Sequence, residues 1–350
     1  MFSNIRSLIF KLDPETAHTL AIKSLKFNFV PNILDENKND PMFKTKLFNS
    51  ELDNPIGMAA GFDKNAEVYN SLFKLGFGFV EVGTITPLKQ YGNPKPRVFR
   101  LEEDEALINR LGFNNDGARN IMNRIKSNQQ KGLLGVNIGP NKDTKDRIAD
   151  YLNCLNIFSE VADYITINIS SPNTQDLRNF HDQTKLDKLL RNIEIEKKKM
   201  NSKIPIVVKI SPDVNDKEIN EISDVLLNSN IEGIIISNTS DSTRNDLINI
   251  QKHQKGGLSG KPIKEKSTLL INKFYNLIKG RIKIIGVGGV DSGASTYEKF
   301  LAGANYVQLY TGMVYRGPNI VSIIKKELKE LLMRDGVKNF SEIVGNKTIT

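Results

Sequence analysis

The sequence predicts an α/β protein: a closed (β/α)8 TIM barrel extended by an N-terminal helical hairpin. Three observations carry this expectation. Eight short apolar runs recur along the 350 residues, each followed by a segment with helical spacing. The runs are near-continuously apolar, as parallel strands covered by helices are. The length suits one barrel of roughly 250 residues plus an addition. A doubly wound open sheet is the other arrangement that such alternation allows.

Residues 1–40 read as the hairpin and 41–350 as the barrel. Phe2, Ile5, Leu8, Ile9 and Leu12 share one face of a short helix. Asp13 can cap a second helix whose first position is Pro14. There Ala17, Leu20, Ala21, Ser24, Leu25 and Phe29 form an apolar stripe, widened by Ile22 and Phe27. Such a hairpin either packs on the barrel or dips into a membrane interface. "DENKND" (35–40) reads as the linker.

The strand candidates follow in order: 54–60, 79–86, 133–139, 164–170, 205–211, 233–239, 283–290 and 306–312. Three connections after strand C-termini are long, namely 87–113, 171–183 and 240–263. Loops of this length are usually functional or mobile. In a barrel they all open on the C-terminal face, where active sites lie. Past Lys338 the chain reads as a tail or short helix.

Composition narrows the function classes. Apolar residues make up 39% and charged residues 25%, as in soluble globular proteins. No run reaches the ~20 apolar residues of a spanning helix, and no secretory signal pattern opens the chain. The single cysteine, Cys154, lies in a helical pattern and reads as a buried structural thiol. With His18, His181 and His253 far apart, no zinc motif forms and no metal is expected. The net charge of +9 fits a lysine-rich solvated surface, an anionic membrane or nucleic acid, and charge alone does not separate them.

Polar residues gather where the runs end. Strand one ends at Gly61 and Lys64, strand two offers Thr84 and strand three Asn137. Strand four, "NISSPNT", carries Asn168, Ser171 and Asn173, and strand five buries Lys209. Strand six ends in Ser237, Asn238 and Thr239, and strand eight in Tyr310 and Thr311. Polar groups at every strand end point to one large polar ligand in the barrel mouth. Gly286, Gly288 and Gly289, before the helix opening "DSGAS", match a barrel phosphate site. "GVGGVDSG" is not the dinucleotide G-x-G-x-x-G pattern. A lysine inside an apolar strand must meet an anion or a carbonyl-rich ring. A reduced flavin offers such an edge, and charge near its N1 tunes it.

The set "AAGFDKN", "EVGTITP", "PRVFRL", "INRLGFNN", "NIG", "NISSPNT", "VVKISPD", "SNT", "GGLSGKP", "GVGGVDSG" and "QLYTG", with "DPETAH" in the hairpin, resembles the class 2, quinone-dependent dihydroorotate dehydrogenases. The resemblance implies a barrel holding one FMN that oxidises (S)-dihydroorotate to orotate in pyrimidine synthesis. The matching FMN positions are Ala60, Gly61, Phe62, Asp63, Lys64, Thr84, Asn137, Asn168, Lys209, Ser237, Gly260, Gly289, Tyr310 and Thr311. The family often has threonine where Ser237 stands. Substrate positions fall on Lys64, Asn109, Arg110, Leu111, Gly112, Phe113, Asn168, Asn173, Asn238 and Thr239.

The family's catalytic base falls on Ser171, with Thr174 and Phe113 beside the proton's way out. Ser170 receives no role. Class 1 enzymes have cysteine at the base position and lack the hairpin, so Ser171 and the hairpin together imply class 2. The hairpin then becomes a quinone tunnel lined by His18, Arg100 and Tyr310. The expected acceptor is ubiquinone or menaquinone. The chain, lacking a presequence or spanning anchor, is expected as a monomer on the cytoplasmic face of a bacterial inner membrane. Two rivals are a dihydrouridine synthase-like flavin barrel acting on RNA and a non-catalytic metabolite-binding barrel. The missing base cysteine and missing C-terminal helical domain argue against the first, so no nucleic-acid partner is expected.

Overall fold

The eight apolar runs become eight parallel strands: Ile56–Met58, Phe79–Ile85, Leu133–Ile138, Tyr164–Asn168, Ile206–Ile210, Gly233–Ile236, Lys283–Val287 and Tyr306–Leu309. The computed structural model describes residues 2–27, 37, 39–174, 176–242 and 244–346, without the side chains of residues 2–4. Phe29, the Phe2 side chain and Asp35, Glu36 and Lys38 of the expected linker lie outside the described residues. Each strand pairs in parallel with its neighbour in sequence, and the eighth closes on the first. The sheet is therefore a closed barrel and not an open doubly wound sheet.

The strands look continuously apolar because both of their faces are buried. Outward residues such as Val80, Leu134, Ile167, Val208 and Ile234 pack under the helices. Inward residues at the N-terminal end stack as one apolar layer: Phe79, Leu133, Tyr164, Val207, Ile235, Ile285 and Tyr306. Two large rings fit because glycines face them. A Cβ at Gly57 would lie 2.5 Å from the Phe79 ring, and one at Gly135 would lie 2.1 Å from the Tyr164 ring. A small hairpin, Thr45–Leu47 with Ser50–Leu52, places Leu47 and Leu52 in the same cluster.

The long connections are more structured than their sequence suggests. Val98–Leu101 and Ala106–Asn109, both within 87–113, pair antiparallel. Gly257–Gly260, from the connection after strand six, adds a third strand. This three-stranded sheet has its own small core, which includes Phe99, Ile108 and Leu258. The segment past Lys338 is also built in as far as it is described: Phe340–Ile343 forms a 3-10 turn that buries Phe340 against Phe300, ring centroids 4.9 Å apart.

The N-terminal helices are Phe2–Phe10 and Pro14–Lys26. Asp13 caps the second as expected, accepting the Thr16 N–H at 2.9 Å. The pair is docked by charge as well as by apolar contact. Glu15 meets Arg97 at 2.6 Å, Arg100 donates to the Phe10 carbonyl at 3.0 Å, and Lys26 meets Glu67 at 2.8 Å. Even so, Ile5, Leu8, Leu12, Leu20 and Phe27 stay exposed. No helix among the described residues is long and apolar enough to cross a membrane.

Candidate active site

A cavity of about 160 Å³ fills the barrel mouth. The strand ends bring Ala60, Gly61, Lys64, Thr84, Asn168, Ser171, Asn173, Lys209, Ser237, Asn238, Thr239, Gly289, Tyr310 and Thr311 to its wall. The three-stranded sheet and its loops add Asn109, Leu111, Gly112, Phe113 and Gly260. Five expected residues lie elsewhere. Phe62 faces a neighbouring apolar cavity. Asp63 is turned away, its carboxylate accepting the Glu67 and Val68 N–H groups at 2.8 and 2.7 Å. It closes the turn after strand one. Arg110 lies over the Phe99 ring at 4.5 Å and donates to the Pro96 and Lys255 carbonyls, pinning loops together. Thr174 is buried outside the lining. Asn137 is wholly buried beneath the floor.

Asn137 belongs to a polarised chain of hydrogen bonds that starts at an unforeseen residue. Glu81 on strand two is fully buried inside the barrel. Its carboxylate accepts from Asn137 Nδ2 at 2.8 Å, Tyr164 at 3.0 Å, Thr166 at 3.1 Å and Gln308 at 3.1 Å. A carboxylate can only accept, so the Asn137 amide must present its oxygen upward. Thr84 donates to that oxygen at 2.7 Å and accepts from Asn168 Nδ2 at 2.9 Å. The Asn168 oxygen then accepts from Ser170 at 2.7 Å, and Ser170 accepts from Asn238 Nδ2 at 2.8 Å. One anion thus fixes the orientation of three amides. Ser170, left without a role by its sequence, is the link between Asn168 and Asn238. The sequence signal for Glu81 is an acid at an inward position of the run "FVEVGTIT".

Two lysines face the cavity, Lys209 buried and Lys64 half-buried. Burial pushes the Lys209 pKa down, and the Glu81 carboxylate partly offsets this. Burial lowers the Lys64 pKa to about 8, with Glu15 raising it and Arg97 lowering it. Ser171 Oγ accepts the Asn173 N–H at 3.2 Å, and the Asn173 amide donates to the Asn109 carbonyl at 3.1 Å. Cys154 sits on the buried face of the helix Arg147–Phe158, where burial drives its thiol pKa upward, and it is outside the lining of this cavity.

These residues fit a flavin mononucleotide. The fixed amides and Lys209 offer donors to a planar, carbonyl-edged ring. At the phosphate end the wall is backbone: Gly260, Gly288, Gly289 and Gly312. Gly260 sits at φ 99°, and a Cβ there would lie 2.4 Å from the Glu105 carbonyl oxygen.

A second cavity, of about 390 Å³, runs between the hairpin and the barrel. Ile5, Ile9 and Leu12 line it with the stripe Ala17, Leu20, Ala21, Ser24 and Leu25. His18, Arg100 and Tyr310 all reach it. His18 is neutral at physiological pH, because burial and then the Lys64 charge lower its pKa to about 3. Its ring meets Phe62 edge-on at 5.2 Å. Lys64, Val98, Leu107, Leu111 and Tyr310 line both cavities, so a wall one side chain thick separates them.

Residues 42–332 match the family described as Dihydroorotate dehydrogenase. A Bartonella tribocorum protein named Dihydroorotate dehydrogenase (quinone) is 47% identical over 344 residues, 96% of this chain and 94% of its own. An Agrobacterium fabrum protein of the same name is 43% identical over 348 residues, 98% of this chain and 95% of its own. Among solved structures, a DHODH from Eimeria tenella in complex with ferulenol superposes with a TM-score of 0.92 at 36% identity, covering 97% of this chain and 96% of that one.

Proposed function

The chain belongs to the dihydroorotate dehydrogenase family and oxidises dihydroorotate to orotate with a quinone as electron acceptor; we propose that FMN occupies the barrel mouth and that the N-terminal hairpin is the quinone's entrance. The adjoining cavities carry this reading: one polar and lined by strand ends, one apolar and lined by the hairpin, with Lys64 and Tyr310 between them.

FMN, when bound, supplies the electron sink between substrate and quinone. The protein's own groups do the rest. Lys64 meets the substrate carboxylate. Asn109, Asn173 and Asn238 hold the imide edge, since each amide both donates and accepts. Ser171 takes the C5 proton. A serine is a weak base, so it must be positioned and dry. Ser171 as a residue is 5% exposed, and its oxygen is held by the Asn173 N–H. Thr174 and Phe113 lie on the proton's route outward. Lys209, Asn168 and Thr84 hold the flavin ring, and Gly260, Gly289 and Thr311 its phosphate. Arg100, His18 and Tyr310 line the quinone's path. Residues 1–40 form the membrane-facing unit and 41–350 the catalytic barrel. The protein acts as a monomer at the cytoplasmic face of a bacterial inner membrane, with ubiquinone or menaquinone as acceptor.

The test is anaerobic. Dihydroorotate should bleach the flavin, and added quinone should restore its colour. Turnover with fumarate or NAD but none with quinone would sink the reading. Ser171→Ala should slow bleaching by about 10²–10⁴-fold while FMN stays bound. Unchanged reduction would refute the base assignment.

A further inference from the structure

Lys299 is fully buried on the helix Gly293–Ala302, away from the barrel mouth's lining. Its ammonium donates to Ser267 Oγ at 2.7 Å and Thr268 Oγ1 at 3.1 Å. No carboxylate pairs with it among the described residues, and neighbouring Glu298 is taken by Lys264 at 3.0 Å. A fully buried ammonium held only by hydroxyls is costly unless an anion lies near. The barrel makes room for it deliberately. A Cβ at Gly286 on strand seven would come within 3.3 Å of the Lys299 stem and 2.9 Å of Ile271.

The hydroxyl beside it leads to the glycine loop. Ser267 Oγ lies 2.9 Å from the Gly288 carbonyl and 2.9 Å from the Lys264 carbonyl, with one proton to give. Its lone pairs are turned to the ammonium. The Gly288–Gly289 peptide is trans, so its carbonyl and its N–H point in opposite directions. Holding the Gly288 carbonyl against Ser267 therefore turns the Gly289 N–H away from the helix. Gly289 lines the mouth cavity. It cannot be replaced by a side chain, since a Cβ would lie 2.5 Å from Lys264 Cβ.

We propose that Lys299, acting through Ser267 and Gly288, is a positioning residue for the cofactor's phosphate: it aims the Gly289 N–H and adds positive charge behind the glycine loop. It touches neither cofactor nor substrate. This rests on the FMN reading, and concerns the phosphate end alone. Burial lowers the Lys299 pKa to about 7, with Glu298 raising it and Lys264 lowering it further.

The test separates the phosphate from the ring. The full chain is stripped of flavin, and the dissociation constants of FMN and riboflavin are measured by fluorescence. The unaltered protein should prefer FMN. Lys299→Met, which keeps the stem, should cut that preference at least about tenfold while leaving riboflavin affinity within about twofold. The flavin-free variant should melt no lower than the unaltered protein, because an uncompensated charge has gone, but FMN should raise its Tm less. Should Lys299→Met fail to fold, Ser267→Ala decides: it cuts the link to Gly288 and should lose part of the same preference. An unchanged preference, or equal losses for FMN and riboflavin, would overturn the proposal. A parent protein that binds both flavins equally would instead overturn the FMN reading.

Discussion

Lys64 and Glu81 set the chemistry of the site from opposite sides, one as a cation facing the cavity and the other as an acceptor beneath it. The Lys64 pKa of about 8 leaves the ammonium charged below that pH and neutral above it. Orotate, an anion, should therefore bind well below pH 8, with its Kd rising by up to about tenfold per unit above it. Titration of flavin absorbance with orotate across pH 6 to 10 would read this, and Lys64→Met should flatten the profile. Glu81 accepts four hydrogen bonds. Glu81→Gln places an N–H₂ group where only acceptors fit. It should lower unfolding free energy by about 3 kcal/mol, measured by urea denaturation of the FMN-loaded protein. A loss below about 1 kcal/mol would mean the polar chain does not depend on its anion.

Elements differ in how plainly the sequence announces them. The barrel strands were legible because burial on both faces leaves unbroken apolar runs such as "PIVVKIS". The capped second helix was legible from Asp13-Pro14. The three-stranded sheet was not, because "VFRL" and "ALIN" are four-residue strands too short to show a period, and their third partner, "GLSG", lies far along the chain. The hairpin's exposed face has a direct consequence. Leu8 is 68% and Leu20 50% exposed, on helices that also line the apolar cavity. Replacing both by glutamate should weaken association with phospholipid vesicles at least about tenfold and slow turnover with long-chain quinones. Flavin bleaching by dihydroorotate should be unchanged, since neither residue reaches the mouth cavity.

At the scale of the molecule, the site was legible as a ring of strand ends but not as a network. Lys209, Asn168, Ser171 and Asn238 announce themselves by polarity at the ends of apolar runs. Glu81, Ser170 and Lys299 do not, because their work is done on other side chains inside the fold. Asp63 and Arg110, expected at the site beside lining residues, turn their side chains to backbone groups instead. The thin partition of Lys64, Val98, Leu107, Leu111 and Tyr310 matters most here. With the quinone entering beside the hairpin as proposed, the water-soluble reductant and the lipid-soluble oxidant would use separate doors, and neither would have to wait for the other's exit. Such a device runs as a two-stroke cycle. Steady-state double-reciprocal plots at several quinone concentrations should be parallel, and a blocker lodged beside His18 should not compete with dihydroorotate. Intersecting lines would mean that the two compartments communicate.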